Sequence, residues 1–541
     1  MSEKLYDHQQ EAVDRFKNSN EIAIFFEQGC GKSATSLKIA EYKYNTSQIN
    51  AALIIAPNDV HKQWAVEQVP EWLDCDYDVV CFGGRGGAKT FYPPSEGKLG
   101  IVCINIDTFS QPSKWKCVAE WARAHKTMII LDEATSIKNV NSNRTQNILT
   151  CFNSVTRRGK TVQSSVKLPE CACRCVLTGT PVTNGPMDLW AIMEFVKPNF
   201  FGHNWWSFKS YYGMYTKLSV ANTNGVFRDV QVLLNENTWT AIKRCTDYNM
   251  AFNLFGCSQD TYFTIHSQPK YTGPYKHAEE LKDKLDKVAV FRKITECLDM
   301  PDKNYIVRNL EMNDAQKKAY KEMVNEQMTE YQGHLATALN KLTMATRLQQ
   351  ISSGFIYDKS YVYTGEGNDM SEDDILEDID KDLMPDEVVW LGESNPKLDA
   401  LLRDVDESDK PLIILTRYTA EAAKIYDILK DTYPSMLYTG WKKTGTIENF
   451  KEGKYDIMIA NTACVARGFN LQNSHTILYY SNTFSMELRE QSEARIFRSG
   501  QKNICKYVDY CFRDTVDEQV MDALKQKKSM LEYFRAQQQS N

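Results

Sequence analysis

No run of about eighteen apolar residues, the length that a membrane-spanning helix needs, occurs in the chain. The opening residues MSEKLYDHQQ also lack the basic-then-apolar pattern of a secretion signal. With both features missing, the expectation is a cytoplasmic protein with no membrane partner. The fifteen cysteines keep no regular spacing that would frame a disulfide scaffold, so free thiols in a reducing compartment are expected. An excess of basic charge is missing too: 64 Lys and Arg stand against 70 Asp and Glu, for a net charge of −6. That excludes a uniformly basic surface, but a local basic groove is enough to hold phosphate.

What is present is an ordinary globular composition in 541 residues, more than one hydrophobic core usually serves. Short continuous apolar runs at 22–26, 51–56, 101–104, 128–131, 412–415, 457–460 and 477–480 read as parallel strands buried on both faces. Segments long enough for helices separate them, as at 33–44 and 419–429. This alternation occurs once before about residue 195 and again after about residue 396. It predicts an α/β protein of two RecA-like, doubly wound parallel-sheet lobes. The expected division is 1–200 for the first, ATP-binding lobe, 201–305 for a mostly helical insert, and 306–541 for the second lobe, with 311–332 and 334–352 helical. The aromatics Phe200, Phe201, Trp205, Trp206, Phe208, Tyr211, Tyr212 and Tyr215 read as a small core rather than a base-stacking platform. The acidic segment 366–387 reads as a loop that repels nucleic acid instead of lining its track.

Phe25-Phe26-Glu27-Gln28-Gly29-Cys30-Gly31-Lys32-Ser33 follows a strand and opens a helix, the setting of a phosphate-binding loop. Gly29 and Gly31 let backbone N–H groups turn inward, and the helix start favours an anion. Lys32 reaches the β/γ-phosphates and the Ser33 hydroxyl is placed for Mg2+. Phe26 stands where the usual pattern has its first glycine. Downstream, Met128-Ile129-Ile130-Leu131-Asp132-Glu133-Ala134-Thr135 is an apolar strand ending in paired carboxylates. Asp132 suits the Mg2+ that bridges phosphates, and Glu133 the orientation or deprotonation of attacking water. Together the two elements predict ATP and Mg2+ as the ligands of a hydrolase.

In this order the motifs resemble those of superfamily-two ATPases, and among them the Swi/Snf-type double-stranded DNA translocases. Leu5-Tyr6-Asp7-His8-Gln9 is similar to the family's entry motif, which implies that Gln9 reads adenine. Glu27 to Ser33 is similar to its Glu-Met-Gly-Leu-Gly-Lys-Thr loop, which lacks the same first glycine. Ile54-Ile55-Ala56-Pro57 with Gln63-Trp64 resembles a strand end near the DNA backbone, implying DNA coupling for Pro57 and Trp64. Asp132 through Asn139 resembles the family's Asp-Glu-Ala-His box and its Ile-Lys-Asn tail, with Thr135 in place of the histidine. Leu177-Thr178-Gly179-Thr180-Pro181-Val182-Thr183-Asn184 is similar to the segment that couples the nucleotide site to DNA, which gives Thr178, Gly179 and Thr180 that role. In the second lobe, Arg467-Gly468-Phe469-Asn470-Leu471 is similar to the fifth motif and the run from Gln491 to Gln501 to the sixth. The match assigns nucleotide contact to Gly468 and DNA coupling to Asn470 and Gln491. Arg495 and Arg498, three apart on one helical face, then reach the γ-phosphate across the cleft as arginine fingers.

The resemblance implies a DNA-stimulated ATPase of helicase or translocase type, acting as a monomer on duplex or branched DNA with little sequence preference. Translocation on duplex DNA that remodels or displaces bound factors is the first expectation. A branch-specific helicase, and a nucleotide-dependent DNA-binding module without motor activity, are the alternatives. So compact a motor suits a phage or bacterial replication or repair system. Cys171, Cys173 and Cys175 fit zinc spacing poorly and read as free thiols. Arg157, Arg158, Lys160 and Lys167 belong to a solvated or a phosphate-contacting loop, and Trp441-Lys442-Lys443 is open in the same way.

Overall fold

The computed structural model describes residues 5–58, 60–82, 93–110, 112–152, 155–157, 160–162, 173–183, 185–213, 215–221, 227–233, 262–264, 276–326, 328–331, 334–337, 341–357, 388–392, 394–466 and 469–525. The acidic segment 366–387, Gly468, Cys171 and most of the basic run 157–167 lie outside these residues.

Seven strands make the first sheet: β1 (Glu21–Phe26), β2 (Ala51–Ala56), β3 (Tyr77–Phe82), β4 (Leu99–Asn105), β5 (Thr127–Asp132), β6 (Cys173–Leu177) and β7 (Ala289–Arg292). All are parallel, in the order β7-β1-β6-β5-β2-β4-β3. β2 and β5 are buried at every position, which is why their sequences run apolar without alternation. Successive side chains feed opposite cores. Ile22, Ile24 and Phe26 enter one face and Ala23 and Phe25 the other, each large side chain contributing about 1.5–3 kcal/mol by burial.

Six parallel strands make the second sheet: β8 (Lys303–Leu310), β9 (Leu412–Thr416), β10 (Ser435–Tyr438), β11 (Ile457–Asn461), β12 (Thr476–Tyr479) and β13 (Cys505–Phe512). Their order is β8-β13-β12-β9-β11-β10. The two-lobe α/β architecture expected from the apolar runs is therefore the observed one. Among the described residues no helix is long and apolar enough to cross a membrane.

The middle of the chain is more mixed than its sequence suggests. Helices Trp205–Tyr212 and Ala278–Leu285 are present, but so is an antiparallel sheet of Tyr215–Ala221 between Phe227–Leu233 and Tyr262–Thr264. β7, within the expected insert, joins the first sheet beside β1. The helices expected over 311–332 and 334–352 are shorter, Asp314–Glu326 and Lys341–Ser353, because the hairpin of Met328–Tyr331 and His334–Thr337 separates them. Phe201, Phe208 and Tyr212 are buried against the first lobe, whereas Trp206 is 71% exposed.

In a parallel sheet all strands end on one side, and ligands gather there. The order β1-β6-β5-β2 sets the ends of four motif-bearing strands side by side. Phe26, Leu177, Asp132 and Ala56 are their last residues.

Candidate functional site

The loop after β1 is held open from behind. Gly29 (φ +88°) and Gly31 (φ +77°) take left-handed conformations that a side chain would strain. A β-carbon on Gly31 would also collide with the Gln9 amide. That amide is engaged at both ends: its nitrogen donates to the Cys30 carbonyl (3.2 Å) and its oxygen accepts from the Tyr6 N–H (2.9 Å). His8 Nε2 lies 2.9 Å from the same Cys30 carbonyl. Gln9 is 2% exposed and stands behind the loop, not in the cavity wall.

A second brace comes from the chain leaving β7. The Glu27 N–H donates to the Arg292 carbonyl (2.9 Å), and the Ile294 N–H to the Glu27 carboxylate (2.9 Å). The Ile294 side chain fills the space where Gly29 would carry a β-carbon. Cys297 follows, its thiol held down to about 6 by the hydrogen bond from Cys30 and then by His8.

In front of the loop lie the helix Lys32–Asn45 and the carboxylates that follow β5. The Lys32 ammonium donates to the Phe26 carbonyl at 3.1 Å. Asp132 is buried, with Oδ2 accepting from the Trp64 indole N–H (2.8 Å) and Oδ1 from the Glu133 N–H (3.0 Å). Burial pushes its carboxyl up, against the pull of the Trp64 donor and the Lys32 charge. Glu133 sits at φ +48°, a strained position for a residue with a side chain. Partly open to the cavity and walled elsewhere by protein, it is pushed up to about 7 by burial. Lys32 and Arg495 oppose that shift, and Asp132 and Glu487 add to it.

The second lobe supplies the opposite wall. Helix Met486–Glu493 ends before Arg495, so the two arginines do not share a helical face as their spacing suggested. They lie in the turns that follow, and a shared acceptor brings them together. Arg495 Nη1 (3.2 Å) and Arg498 Nη1 (3.1 Å) both donate to the Phe469 carbonyl. Arg495 also donates to the Gln491 carbonyl (2.9 Å) and, across the cleft, to Gln28 Oε1 (2.5 Å). Desolvation lowers both guanidinium pKa values, Arg495 to about 9, with Arg498 as its next largest cause.

One cavity of about 950 Å3 joins these parts, at the upper end of the ~300–1,000 Å3 usual for small-molecule sites. Gly29 and Gly31 line it from the loop, Lys32 and Ser33 from the helix start, Pro57 from just past β2, and Asp132 and Glu133 from the end of β5 and the residue after it. Gln491, Arg495 and Arg498 face them. Among the described residues, none of Lys32, Arg495 and Arg498 makes an ion pair with a carboxylate. Three converging cations without a paired carboxylate suit a polyphosphate. No group of three or more His, Cys, Asp or Glu that could hold a metal occurs among the described residues. One carboxylate and one hydroxyl, Asp132 and Ser33, are the donor set that Mg2+ uses when substrate phosphates complete its shell.

Other expected site residues sit elsewhere. Thr178 and Thr180 are buried behind the loop, the Thr180 N–H donating to Thr178 Oγ1 (3.2 Å). Gly179 packs on the loop backbone, where an added β-carbon would lie 3.4 Å from the Phe26 carbonyl oxygen. Trp64, 1% exposed, points inward to Asp132, and Asn470 lies at the surface. Cys173 and Cys175 are buried, the Cys173 thiol donating to the Ser19 carbonyl (3.6 Å). Gln28 and Glu487 are cavity residues that the motifs did not flag. The spacing of four between Glu487 and Gln491 on one helix was the available signal.

A model of the SNF2-related domain matches residues 8–354, and one of the helicase conserved C-terminal domain matches residues 395–500. The chain is 21% identical over 532 residues to the probable ATP-dependent DNA helicase CHR12 of Arabidopsis thaliana, covering 95% of this chain and 40% of that protein. It is 20% identical over 534 residues to the transcription regulatory protein SNF2 of Saccharomyces cerevisiae, covering 95% of this chain and 26% of that protein. The chain thus spans less than half the length of these two relatives. A solved structure, the Sulfolobus solfataricus SWI2/SNF2 ATPase core in complex with dsDNA, aligns over 98% of this chain and 92% of that one, with TM-score 0.36 and 17% identity.

Proposed function

The chain belongs to the SNF2-related family, and on that footing we propose that it is a DNA-stimulated ATPase, a motor that translocates on duplex DNA and displaces what is bound there. The observation that carries this reading is the single cavity lined by Lys32 from one lobe and by Arg495 and Arg498 from the other. A triphosphate held between them would draw the lobes together, and its hydrolysis would release them.

In this reading Lys32 and the N–H groups of the loop grip the phosphates, and Arg495 and Arg498 neutralise charge that grows on the transferred group. Glu133 orients the attacking water and takes up its proton. Asp132 and Ser33 would hold Mg2+, which would supply neutralisation of phosphate charge when bound. Gly179, packed on the loop backbone, passes the loop's position to the segment at 178–183. DNA contacts are mainly to phosphates, which makes binding salt-dependent and tolerant of sequence.

ATP hydrolysis, measured alone and with single-stranded, duplex and forked DNA, tests the reading. Duplex DNA should stimulate the wild type. Glu133→Gln should cut the stimulated rate by about 10²–10⁴-fold, and Lys32→Ala should abolish it. Stimulation by forks alone would replace translocation with branch migration. No hydrolysis with any DNA would leave only a binding module.

A further inference from the structure

Glu487 is a cavity residue that neither the phosphate chemistry nor the arginines require. It occupies the first turn of helix Met486–Glu493, whose start is fixed by Ser485 accepting from the Leu488 N–H (3.3 Å). A carboxylate is well placed in that turn. Its side chain, 23% exposed, crosses to the other lobe. Oε1 accepts from Thr135 Oγ1 (2.9 Å) and from Gln491 Nε2 (3.3 Å), and Oε2 lies 3.5 Å from the Lys138 ammonium. The contact runs on within the first lobe. Lys138 donates to Thr183 Oγ1 (3.1 Å), and Thr183 donates to Asp188 Oδ2 from both its hydroxyl and its N–H (2.8 Å each).

Thr135 and Glu487 are 352 residues apart in sequence and belong to different lobes, so their hydrogen bond exists only while the cleft is shut. Thr135 is 2% exposed. Its short side chain cannot reach across, so its partner must come to it, and Glu487 has the length to do so. The acceptor is charged, which makes this a strong class of hydrogen bond. The same carboxylate approaches Lys138, directly linked to the 183–188 segment beside β6. One side chain of the second lobe therefore touches the turn after the acidic pair directly and reaches the segment that follows β6 through Lys138.

We propose that Glu487 is a positioning residue that latches the closed cleft: by gripping Thr135 and Lys138 it ties the second lobe to the turn carrying Glu133, so that hydrolysis proceeds only with the lobes in register. This role rests on the ATPase reading for its kinetic consequence but not for its structural one, and each is measured separately.

The kinetic arm compares Thr135→Val, Thr135→Ser, Glu487→Ala and the Thr135→Val/Glu487→Ala double variant in DNA-stimulated ATP hydrolysis. Loss of a hydrogen bond to a charged group should lower kcat by about tenfold or more in Thr135→Val and in Glu487→Ala, while KM for ATP holds. Thr135→Ser, which keeps the hydroxyl, should recover most of the rate. The double variant should be no slower than Glu487→Ala. Losses that multiply, or a Thr135→Val enzyme as fast as wild type, overturn the latch. The structural arm uses small-angle scattering with and without Mg2+ and a non-hydrolysable ATP analogue. Glu487→Ala and Thr135→Val should stay more expanded than wild type and Thr135→Ser, with unchanged far-ultraviolet circular dichroism. Equal compaction in all four overturns the latch whatever the kinetics. Compaction that depends on Glu487 in a wild type that hydrolyses nothing keeps the latch and removes the ATPase reading.

Discussion

The indole of Trp64 donates to a carboxylate that has no exposure to spare. Asp132 is buried and its charge already resists desolvation, so removing the donor while keeping the ring leaves an acceptor unmet. Trp64→Phe should cost about 1–3 kcal/mol of stability in urea unfolding. A loss below about 0.5 kcal/mol would mean that another donor replaces the indole. The pairing explains why sequence gave Trp64 a different task. Gln63-Trp64 carries a recognisable motif, but a motif does not show that its tryptophan turns inward toward a residue 68 positions away. Gln9 was hidden in the same manner. Its amide bonds Tyr6 and Cys30, contacts that depend on where the loop lies in space. That Lys32, Asp132, Glu133 and the two arginines share one cavity was legible because each belongs to a motif read from local order along the chain.

At the scale of elements, strands buried on both faces announce themselves as unbroken apolar runs, and β1, β2, β5, β9 and β11 were visible for that reason. β7 was not, since four residues carry too little pattern to separate a strand from a loop. Tyr215–Ala221 alternates apolar residues with Thr216, Lys217 and Ser219 amid many aromatics, a mixture that resembles half-buried helix as much as strand. The helix Leu189–Val196 offers a test of element stability. Glu194 accepts from the Asn199 N–H (2.9 Å) beyond the helix end, and burial pushes its carboxyl from 4.5 up to about 7, against the opposing effects of that N–H and of Arg174. A folded-state pKa above the unfolded one means that folding binds a proton more tightly. This contribution to stability is complete below about 4.5 and is lost as pH rises through about 7. Glu194→Gln should therefore gain stability relative to wild type between pH 5 and pH 8, as read from paired urea melts. A difference between the two proteins that stays flat with pH would contradict the assignment.

For the molecule as a whole, a nucleotide held in the cavity between the lobes, as proposed, would make its binding and global stability one equilibrium. At a concentration 100-fold above Kd, a ligand that binds only the folded chain adds about 2.7 kcal/mol. A non-hydrolysable ATP analogue with Mg2+ should raise Tm in wild type and not in Lys32→Ala, and a shift of equal size in both would place the ligand elsewhere. Two lobes and their order were legible from the repeat of strand–helix alternation, while the way their walls meet was not, because it depends on pairs such as Arg495 with Gln28 that no local pattern links. The placing of β7 beside β1 has a consequence for the birth of the protein. The ribosome adds about 5–20 residues per second, so Ile294 emerges about 13–50 s after Lys32. Through that interval β1 presents a bare edge to the crowded cell, open to pairing with a neighbouring nascent chain. A message cut short near codon 200 would yield the loop with Gln9 and His8 behind it but never the second brace from Arg292 and Ile294, and a stalled or truncated product should go to chaperones or proteases before it meets a nucleotide.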